Sequence, residues 1–570
     1  MAREDFSPHS IAQPPEKPIE PRTTTRRQLG NIFAEYCSTS TIHGVSYIGA
    51  QQRSKCERFW WIVMLGLSLY GCAKLIEKIY HKWDSGPVIL SFDRKPTPVW
   101  QMPFPAVTIC PEVKFRPECL NFTSTYKKMF LNESAGPLEE EETQKMLSVL
   151  QICDRMYSYE PFKTALRKYS FNQDVVHYLK QISPGAKRKL FFECRISLYP
   201  CVDLFKETIT DEGICYTFNL IPENEMFRKK NLHDNYDYLE SPYPSSNWTP
   251  DDGFRPEAEL RTYPSRIFGS GFESGMYLQL MIPDSYEESH CREAQGFKML
   301  LHSPAEYPVI SKKFIRLTFN HEVTMALKPE IMITAAALRN YRPDVRQCFF
   351  GHERTLQFFA IYNQANCELE CLTNYTLKLC GCVRFSMPRG HRTRLCESFE
   401  LGCAITAEND IQILIAKGGI GTKSGTMDHC NCLPACNSIE YNAELTQTKY
   451  NFSKSYHLRY DKSNSHDQIA RSVRIYALIN ANFAKLAIYF RQTQYITQKR
   501  DELFGWTDFI ANCGGVMGLC MGVSLLSLAE LFYYCLIRPL ILLRYRGNRE
   551  ERNVVSVQPV YSLFKVERRA

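Results

Sequence analysis

Two long apolar stretches interrupt a chain that otherwise mixes polar and hydrophobic positions. The first runs from Phe59 to Ala73, and the second, Phe509 to Ile537, holds one formal charge, Glu530, in 29 residues. A membrane-spanning helix needs roughly 20 apolar residues, so the pattern predicts transmembrane helices over 59–82 and 506–537. Taken alone, the shorter first stretch could also be a buried core helix.

The second stretch is longer than a perpendicular span requires. Its 29 residues would extend about 44 Å as a helix, against a hydrocarbon thickness of ~30 Å. The segment must therefore tilt, break or extend beyond the bilayer. Glycine recurs every four residues at Gly514, Gly518 and Gly522, which permits close approach of another helix. Packing against the first span is one interpretation of this spacing, and a pore is another.

Charge next to the spans predicts their orientation. Basic residues precede the first span and follow the second, at Arg53, Lys55, Arg58, Arg538, Arg544, Arg546, Arg549 and Arg552. By the positive-inside rule both termini are cytoplasmic, in a multi-pass protein of the plasma membrane. The predicted organisation is a cytoplasmic tail over 1–58, an extracellular domain over 83–505 and a second cytoplasmic tail over 538–570.

Cysteine usage supports an extracellular location for the long middle region. Seventeen of the 23 cysteines fall between Cys110 and Cys436, which indicates an oxidising compartment, and an odd number leaves at least one thiol free or paired with another chain. The clusters lack the paired C-x2-C spacing of zinc sites, so we expect no metal. The disulfide candidates are Cys110, Cys194, Cys201, Cys215, Cys291, Cys348, Cys367, Cys371, Cys380, Cys382, Cys396, Cys403, Cys430, Cys432 and Cys436.

Glycosylation sequons follow the same distribution. All five lie between the predicted spans, at Asn121, Asn132, Asn247, Asn374 and Asn451. The net charge of +8 is not gathered into a basic stripe, so we expect no nucleic-acid partner. No grouping of Ser, His and Asp indicates an enzyme, and no cofactor is expected.

The second span carries groups suited to a cation pathway. Ser524 and Ser527 supply hydroxyls, and Glu530 places a carboxylate in a membrane segment, where its cost usually marks a site that faces protein or water. Hydroxyls and carbonyls can replace the hydration water of a cation, and a carboxylate attracts positive charge. One helix cannot enclose a pore, so oligomerisation is implied.

Motifs along the whole chain carry a family resemblance. In order they are Ser40–Gly44, Phe104–Cys110, Gly213–Asn219, His302–Pro308, Cys348, the C-x3-C-x8-C-x-C spacing of Cys367–Cys382, Cys432–Cys436, Gly514–Gly518 and Gly522–Ser524. The chain resembles the degenerin/epithelial sodium channel family, and most of all its insect pickpocket branch.

The resemblance implies both a fold and a function. The fold is an α+β membrane protein in which two transmembrane helices flank a large disulfide-rich extracellular domain with a β-sheet core and peripheral helices. Three subunits, identical or related, assemble in membrane lipid as a homo- or heterotrimeric channel. The function is a voltage-independent, amiloride-sensitive, sodium-selective channel with Na+ as the permeant ion, gated by ligand, mechanical force or osmotic change in sensory or epithelial cells.

The resemblance also assigns roles to single positions. Gly522, Val523 and Ser524 resemble the selectivity filter, which breaks the second helix into two parts. The other implied positions are the amiloride-blocking position at Gly518, the gating positions Ala511, His43 and Gly44, and a pore-associated acid at Glu530.

Two alternatives share the two-span organisation. The chain could be a cysteine-rich receptor or adhesion protein without a pore. It could also resemble the ATP-gated trimeric channels, although that family lacks the His-Gly and G-x-S motifs. The extracellular ligand and the stimulus cannot be read from the sequence.

Overall fold

The computed structural model describes residues 25–50, 53–86, 88–131, 138–185, 187–234, 243–259, 262–286, 288–418, 430–452, 454, 480–541 and 544. The predicted glycosylation site at Asn132, residues 1–24 of the predicted N-terminal tail and most of the predicted C-terminal tail lie outside these residues. The chain divides into two compact units. Residues 1–87 and 503–570 form the first, here called the helical unit, and residues 88–502 form the second, here called the cysteine-rich unit.

The described residues of the helical unit form helices without strands, whereas those of the cysteine-rich unit form both helices and strands. The helices are α1 (Thr25–Thr39), α2 (Val45–Gly49), α3 (Lys55–Ser85), α4 (Phe122–Tyr126), α5 (Glu140–Leu150), α6 (Phe162–Leu166), α7 (Val175–Ile182), α8 (Lys187–Leu190), α9 (Glu223–Met226), α10 (Pro343–Arg346), α11 (Gln364–Cys380), α12 (Leu401–Gly418), α13 (Trp506–Met521) and α14 (Leu525–Phe532). The strands are β1 (Val88–Phe92), β2 (Thr97–Pro98), β3 (Ala106–Pro111), β4 (Phe191–Ile196), β5 (Tyr199–Pro200), β6 (Lys206–Thr210), β7 (Gly213–Phe218), β8 (Met276–Pro283), β9 (Phe297–His302), β10 (Ile315–Leu317), β11 (His321–Thr334), β12 (Ser438–Lys449), β13 (Ala481–Phe490), β14 (Gln494–Tyr495) and β15 (Gln498–Glu502).

In the helical unit, α3 begins four residues before the predicted span. Ser54 caps its first turn, because the Ser54 hydroxyl accepts from the backbone of Glu57 and the Glu57 carboxylate accepts from the backbone of Ser54. The pattern of apolar residues could not predict this first turn, because its residues are mostly polar. Within the described residues, Lys55–Asp84 is long and apolar enough to cross a membrane by itself. Trp506–Met521 and Leu525–Ile541 pass the same test only as a pair, bent by 76°.

Two larger sheets form the core of the cysteine-rich unit. One follows the order β1-β15-β11-β13-β8-β4-β5, with β12 paired to β11, and the other follows β10-β9-β3-β7-β6. The 14-residue β11 lies at the centre of the first sheet, antiparallel to β12 and parallel to β13. Strands β3, β7 and β9 are buried along their whole length, as expected for a strand covered on both faces. The predicted β-sheet core is therefore present.

Helices pack beside these sheets around an apolar cluster of their own. The cluster joins α5 and α7 to Phe122 and to the segment around Phe385. Tyr157 lies in the same cluster, and its hydroxyl donates to the backbone oxygen of His290 at 2.6 Å. The presence of both helices and a β-sheet core agrees with the predicted α+β fold class.

Eight disulfides cross-link the cysteine-rich unit. They join Cys110–Cys215, Cys153–Cys291, Cys194–Cys201, Cys348–Cys436, Cys367–Cys432, Cys371–Cys430, Cys380–Cys403 and Cys382–Cys396. All fifteen candidate cysteines are paired, and the partner of Cys291 is Cys153, which the sequence reasoning had not put forward. Cys119 carries a free thiol.

A buried ion cluster joins the turn between β6 and β7 to β9 and to the loops that carry Lys114 and Arg292. Glu212 lies 2.8 Å from both Lys114 and Lys298 and 3.2 Å from Arg292. The two lysines and the glutamate are almost fully buried. Burial alone would raise the pKa of Glu212, but the three cations outweigh it and hold that pKa below its ordinary range.

Candidate functional site

The predicted filter residues form a sharp break between α13 and α14. Helix α13 ends at Met521, and Gly522 adopts a left-handed conformation with φ +66°. Ser524 then caps α14, because its hydroxyl accepts from the backbone of Ser527 at 3.2 Å. Gly522 permits the change of direction, and Ser524 caps the next helix. The 29-residue apolar stretch is therefore two helices and not one continuous helix.

The His-Gly motif lies directly against this break. The backbone of His43 donates to the Met521 carbonyl at 2.9 Å, and the imidazole Nδ1 lies 3.2 Å from the same oxygen. A β-carbon on Gly522 would overlap the His43 ring. Gly44 has φ +88° and precedes α2 as its N-cap residue. The structure therefore brings together the two motifs that the sequence separates by almost the whole chain.

Further contacts continue from His43 along the segment that follows the break. The Thr41 hydroxyl lies 2.7 Å from the hydroxyl of Ser527 and donates to Glu530 at 3.1 Å. Ser527 is buried, whereas Glu530 is half-buried. The sequence predicted Glu530 as a site residue but not Thr41. The position of Thr41 inside the Ser40–Gly44 motif could have indicated it.

Two more pairs extend this contact toward the end of the described chain. The rings of Tyr36 and Tyr534 are 5.5 Å apart, and Glu35 forms an ion pair with Arg538 at 2.6 Å. The segment from Glu35 to His43 thus follows the chain from Met521 to Arg538, with a polar or aromatic contact at each turn.

The glycine spacing of α13 does not serve its packing on α3. The rings of Trp83 and Phe509 are 5.3 Å apart, and the Ser68 hydroxyl donates to the Cys520 carbonyl at 2.6 Å. Among the described residues, a β-carbon on Gly514 would have no neighbour within 4 Å, and one on Gly518 would meet only the Val523 carbonyl at 3.9 Å. The interpretation of these glycines as a seam against the first span is therefore wrong.

A stripe of small residues occupies the face of α13 that points away from α3. Ala511, Gly515 and Gly518 follow one another at spacings of four and three residues, and all three are exposed. At 3.6 residues per turn this stripe lies roughly opposite the face that carries Phe509 and Cys520. A face of this kind can approach a symmetry axis closely or leave an open passage along it.

The described residues contain no group of three His, Cys, Asp or Glu side chains that could hold a metal ion.

The predicted glycosylation positions Asn121, Asn247, Asn374 and Asn451 are exposed. These four side chains are therefore accessible to modification.

Comparison with known proteins identifies the family. The family model for the amiloride-sensitive sodium channel matches residues 36–534, a range that includes both His43 and the break at Gly522. The chain belongs to this family. Pickpocket protein 28 of Drosophila melanogaster is 26% identical over 93% of this chain and 82% of its own length. Sodium channel protein Nach of the same organism is 23% identical over 89% of this chain and 87% of its own length, and acid-sensing ion channel 1C of Danio rerio is 23% identical over 88% and 82%.

As a pickpocket-like member of the amiloride-sensitive sodium channel family, the protein is a membrane protein of a cation-channel class. The predicted family membership is confirmed. The family consists of ion channels and not of enzymes, so the prediction that the chain is not an enzyme is also confirmed.

Proposed function

We propose that this chain is a pore-forming subunit of a voltage-independent, amiloride-sensitive, sodium-selective channel, opened by a ligand, force or osmotic change in sensory or epithelial cells. The observation that carries the proposal is the break at Gly522–Ser524 with His43 held against it. At a break, backbone carbonyls lose the partners that an unbroken helix would give them, and the exposed Ser524 adds a hydroxyl oxygen. Such oxygens are what a filter needs in order to replace the hydration shell of a cation.

Three copies of the chain around one axis would complete the pathway, as a homotrimer or with related subunits. In that arrangement Gly522, Val523 and Ser524 line the narrowest part and select Na+. Gly518 binds amiloride and Ala511 controls opening, which their exposure on the free face of α13 supports. Glu530 attracts cations on the inner side, and the segment around His43 and Gly44 couples the cytoplasmic tail to the break.

The proposed topology places both termini in the cytoplasm and the region 83–505 outside the cell. The exposed sequon asparagines and the eight disulfides support an extracellular location. Removal of N-glycans with a glycosidase should shift the apparent mass of the wild-type chain. A chain that carries no glycan when expressed in insect cells would contradict this topology.

The experiment that tests the function is whole-cell current from the full chain with Ala511→Val in a sodium bath, with and without amiloride. A bulky side chain at the exposed position 511 should keep the pathway open without the unknown stimulus. Ala511→Ser, which adds little bulk, is the matched control and should remain closed. We expect an amiloride-blocked inward current with a positive reversal potential from the valine variant alone.

The filter assignment has its own test in the open background. Ser524→Ala removes the hydroxyl and should reduce the preference for sodium over potassium, whereas Ser524→Thr keeps the hydroxyl and the helix cap. An unchanged reversal potential for the alanine variant would argue against the assignment. If the valine variant reaches the surface but passes no current with any related subunit, the receptor without a pore becomes the better interpretation.

A further inference from the structure

Three free cysteines of the helical unit lie in the contact between α3 and α13. Cys72 belongs to α3, while Cys513 and Cys520 are seven residues apart on α13 and therefore share one face of that helix. The Cys72 side chain is 3% exposed, although most side chains of α3 are accessible. The Cys72 side chain faces Cys520 across this contact, and Cys513 lies close by.

The register of the two helices fixes this pairing. The Ser68 hydroxyl, one turn before Cys72 and on the same face of α3, donates to the carbonyl of Cys520 at 2.6 Å. At the other end of the contact, the rings of Trp83 and Phe509 are 5.3 Å apart. A slip of one turn would move α13 by about 5.4 Å and lose both contacts. Cys72 therefore stays opposite the last turn of α13.

We propose that Cys72 and Cys520 are an oxidation site, at which a two-electron oxidant such as hydrogen peroxide forms a disulfide between α3 and α13. One thiol attacks the peroxide, takes up an oxygen as sulfenic acid and releases water. The second thiol then displaces this oxygen as a second water molecule, and the S–S bond forms. Both thiols are oxidised and one peroxide is reduced to two water molecules. A small dithiol reverses the step by exchange.

A soft metal ion is the competing ligand for clustered thiols. Among the described residues, no group of three His, Cys, Asp or Glu side chains is arranged to hold a metal. The cluster is therefore better suited to thiol oxidation, which needs only two sulfur atoms.

The position of the bond determines its mechanical consequence. Cys520 directly precedes Met521, whose carbonyl accepts from His43, and lies two residues before the reversal at Gly522. A covalent link at Cys520 would hold the last turn of α13 against α3 and restrict movement of the break. An effect on current rests on the proposed function, whereas formation of the bond does not.

The test counts thiols in the purified full chain. The wild-type protein has seven free thiols, and each takes one polyethylene glycol maleimide under denaturing conditions. After treatment with hydrogen peroxide we expect the loss of two tags, and dithiothreitol should restore both. Cys72→Ser and Cys520→Ser should each lose none, whereas Cys513→Ser, the matched control on the same helix face, should still lose two.

Mass spectrometry of the oxidised wild-type protein decides the pairing without any variant. A linked peptide pair that joins Cys72 to Cys520 supports the proposal. No linked pair with peroxide or with membrane-permeant copper phenanthroline, or a link from Cys72 to Cys513, overturns it. In the Ala511→Val background, peroxide should change the current reversibly only when Cys72 and Cys520 are both present. A linked protein with unchanged current would overturn the mechanical consequence alone.

Discussion

The imidazole of His43 occupies the space that a side chain on Gly522 would need. The same histidine donates from its backbone to the Met521 carbonyl at 2.9 Å. Gly522 is also left-handed, with φ +66°. Two independent constraints, one of backbone conformation and one of space, therefore require glycine at the centre of the break.

Gly522→Ala should disturb the break through both constraints. The left-handed backbone costs an alanine roughly 1–2 kcal/mol, and the overlap with His43 adds to that. We expect loss of current or of sodium selectivity in the Ala511→Val background, measured with surface biotinylation to separate trafficking from conduction. Gly514→Ala, with no neighbour within 4 Å among the described residues, is the control and should be tolerated.

A double variant separates the two constraints. His43→Ala removes the ring, so Gly522→Ala combined with His43→Ala should recover part of the loss if the overlap matters. Contacting residues commonly show coupling of about 0.5–3 kcal/mol. Strict additivity of the two changes would mean that the backbone conformation alone requires the glycine.

Charge reversal tests whether the N-terminal segment is coupled to the end of the second span. Glu35→Arg should repel Arg538, which now lies 2.6 Å away, and should alter channel opening without preventing folding, because both groups are partly exposed. Arg538→Glu added to Glu35→Arg restores opposite charges and should return opening toward the wild type. Excised patches at low and high cytoplasmic salt provide the measurement, since salt screens such a pair. Equal opening in the wild type and in both variants would mean that the pair does not contribute.

The break was predictable from sequence, and its partner was not. Twenty-nine apolar residues exceed one span, and a G-x-S motif within them marks where a helix can end and restart. The contact between His43 and Met521 joins positions 478 residues apart, which no periodicity encodes. The direction of the glycine stripe also depended on which side of α13 meets α3. Sequence spacing alone could not decide that.

The disulfides show the same limit. Fifteen cysteines were candidates, but Cys153 was not among them, and it meets Cys291 only through the fold. Its pairing depends on the helices that bring the two segments together. Counting could establish that at least one thiol in this region stays free or pairs with another chain, but could not identify it as Cys119.

Glu212→Gln should strongly destabilise the cysteine-rich unit. The change removes the negative charge that faces Lys114, Lys298 and Arg292, and leaves Glu112, 3.9 Å from Lys298, as the remaining carboxylate near the two buried lysines. Breaking a buried pair of this kind costs about 3–5 kcal/mol. Thermal unfolding of the purified chain at pH 7 should show a clear loss.

The pH dependence of this loss follows from the lowered pKa of Glu212. The stabilisation is fully present above the ordinary glutamate pKa of about 4.3 and is lost as the pH falls through the lower folded value, so the two proteins should converge only in strong acid. Glu444→Gln is the control, because Glu444 forms a mainly exposed ion pair with Arg491. A pair of that kind is worth at most about 1 kcal/mol. Equal losses for both variants would contradict the importance of burial.

Glu306→Gln should act in the opposite direction and stabilise the protein at high pH. Burial raises the pKa of Glu306 to about 7, with Glu440 adding to the rise, while the backbone of Ser303 and the charge of Lys313 oppose it. Between its unfolded value of about 4.3 and 7 the folded chain holds a proton that the unfolded chain has lost, so stability falls as the pH rises. At pH 8 the penalty reaches about 4 kcal/mol, and a neutral glutamine avoids it. The neighbouring His302, whose pKa burial lowers to about 4, is present in both proteins and cancels in the comparison.

We expect the Glu306→Gln variant to be more stable than the wild type at pH 8 and no more stable at pH 4, measured by denaturant unfolding at both values. Glu257→Gln, at an exposed position, should change stability at neither pH. A variant that is less stable than the wild type at pH 8 would mean that the charged Glu306 carboxylate is stabilised where it lies.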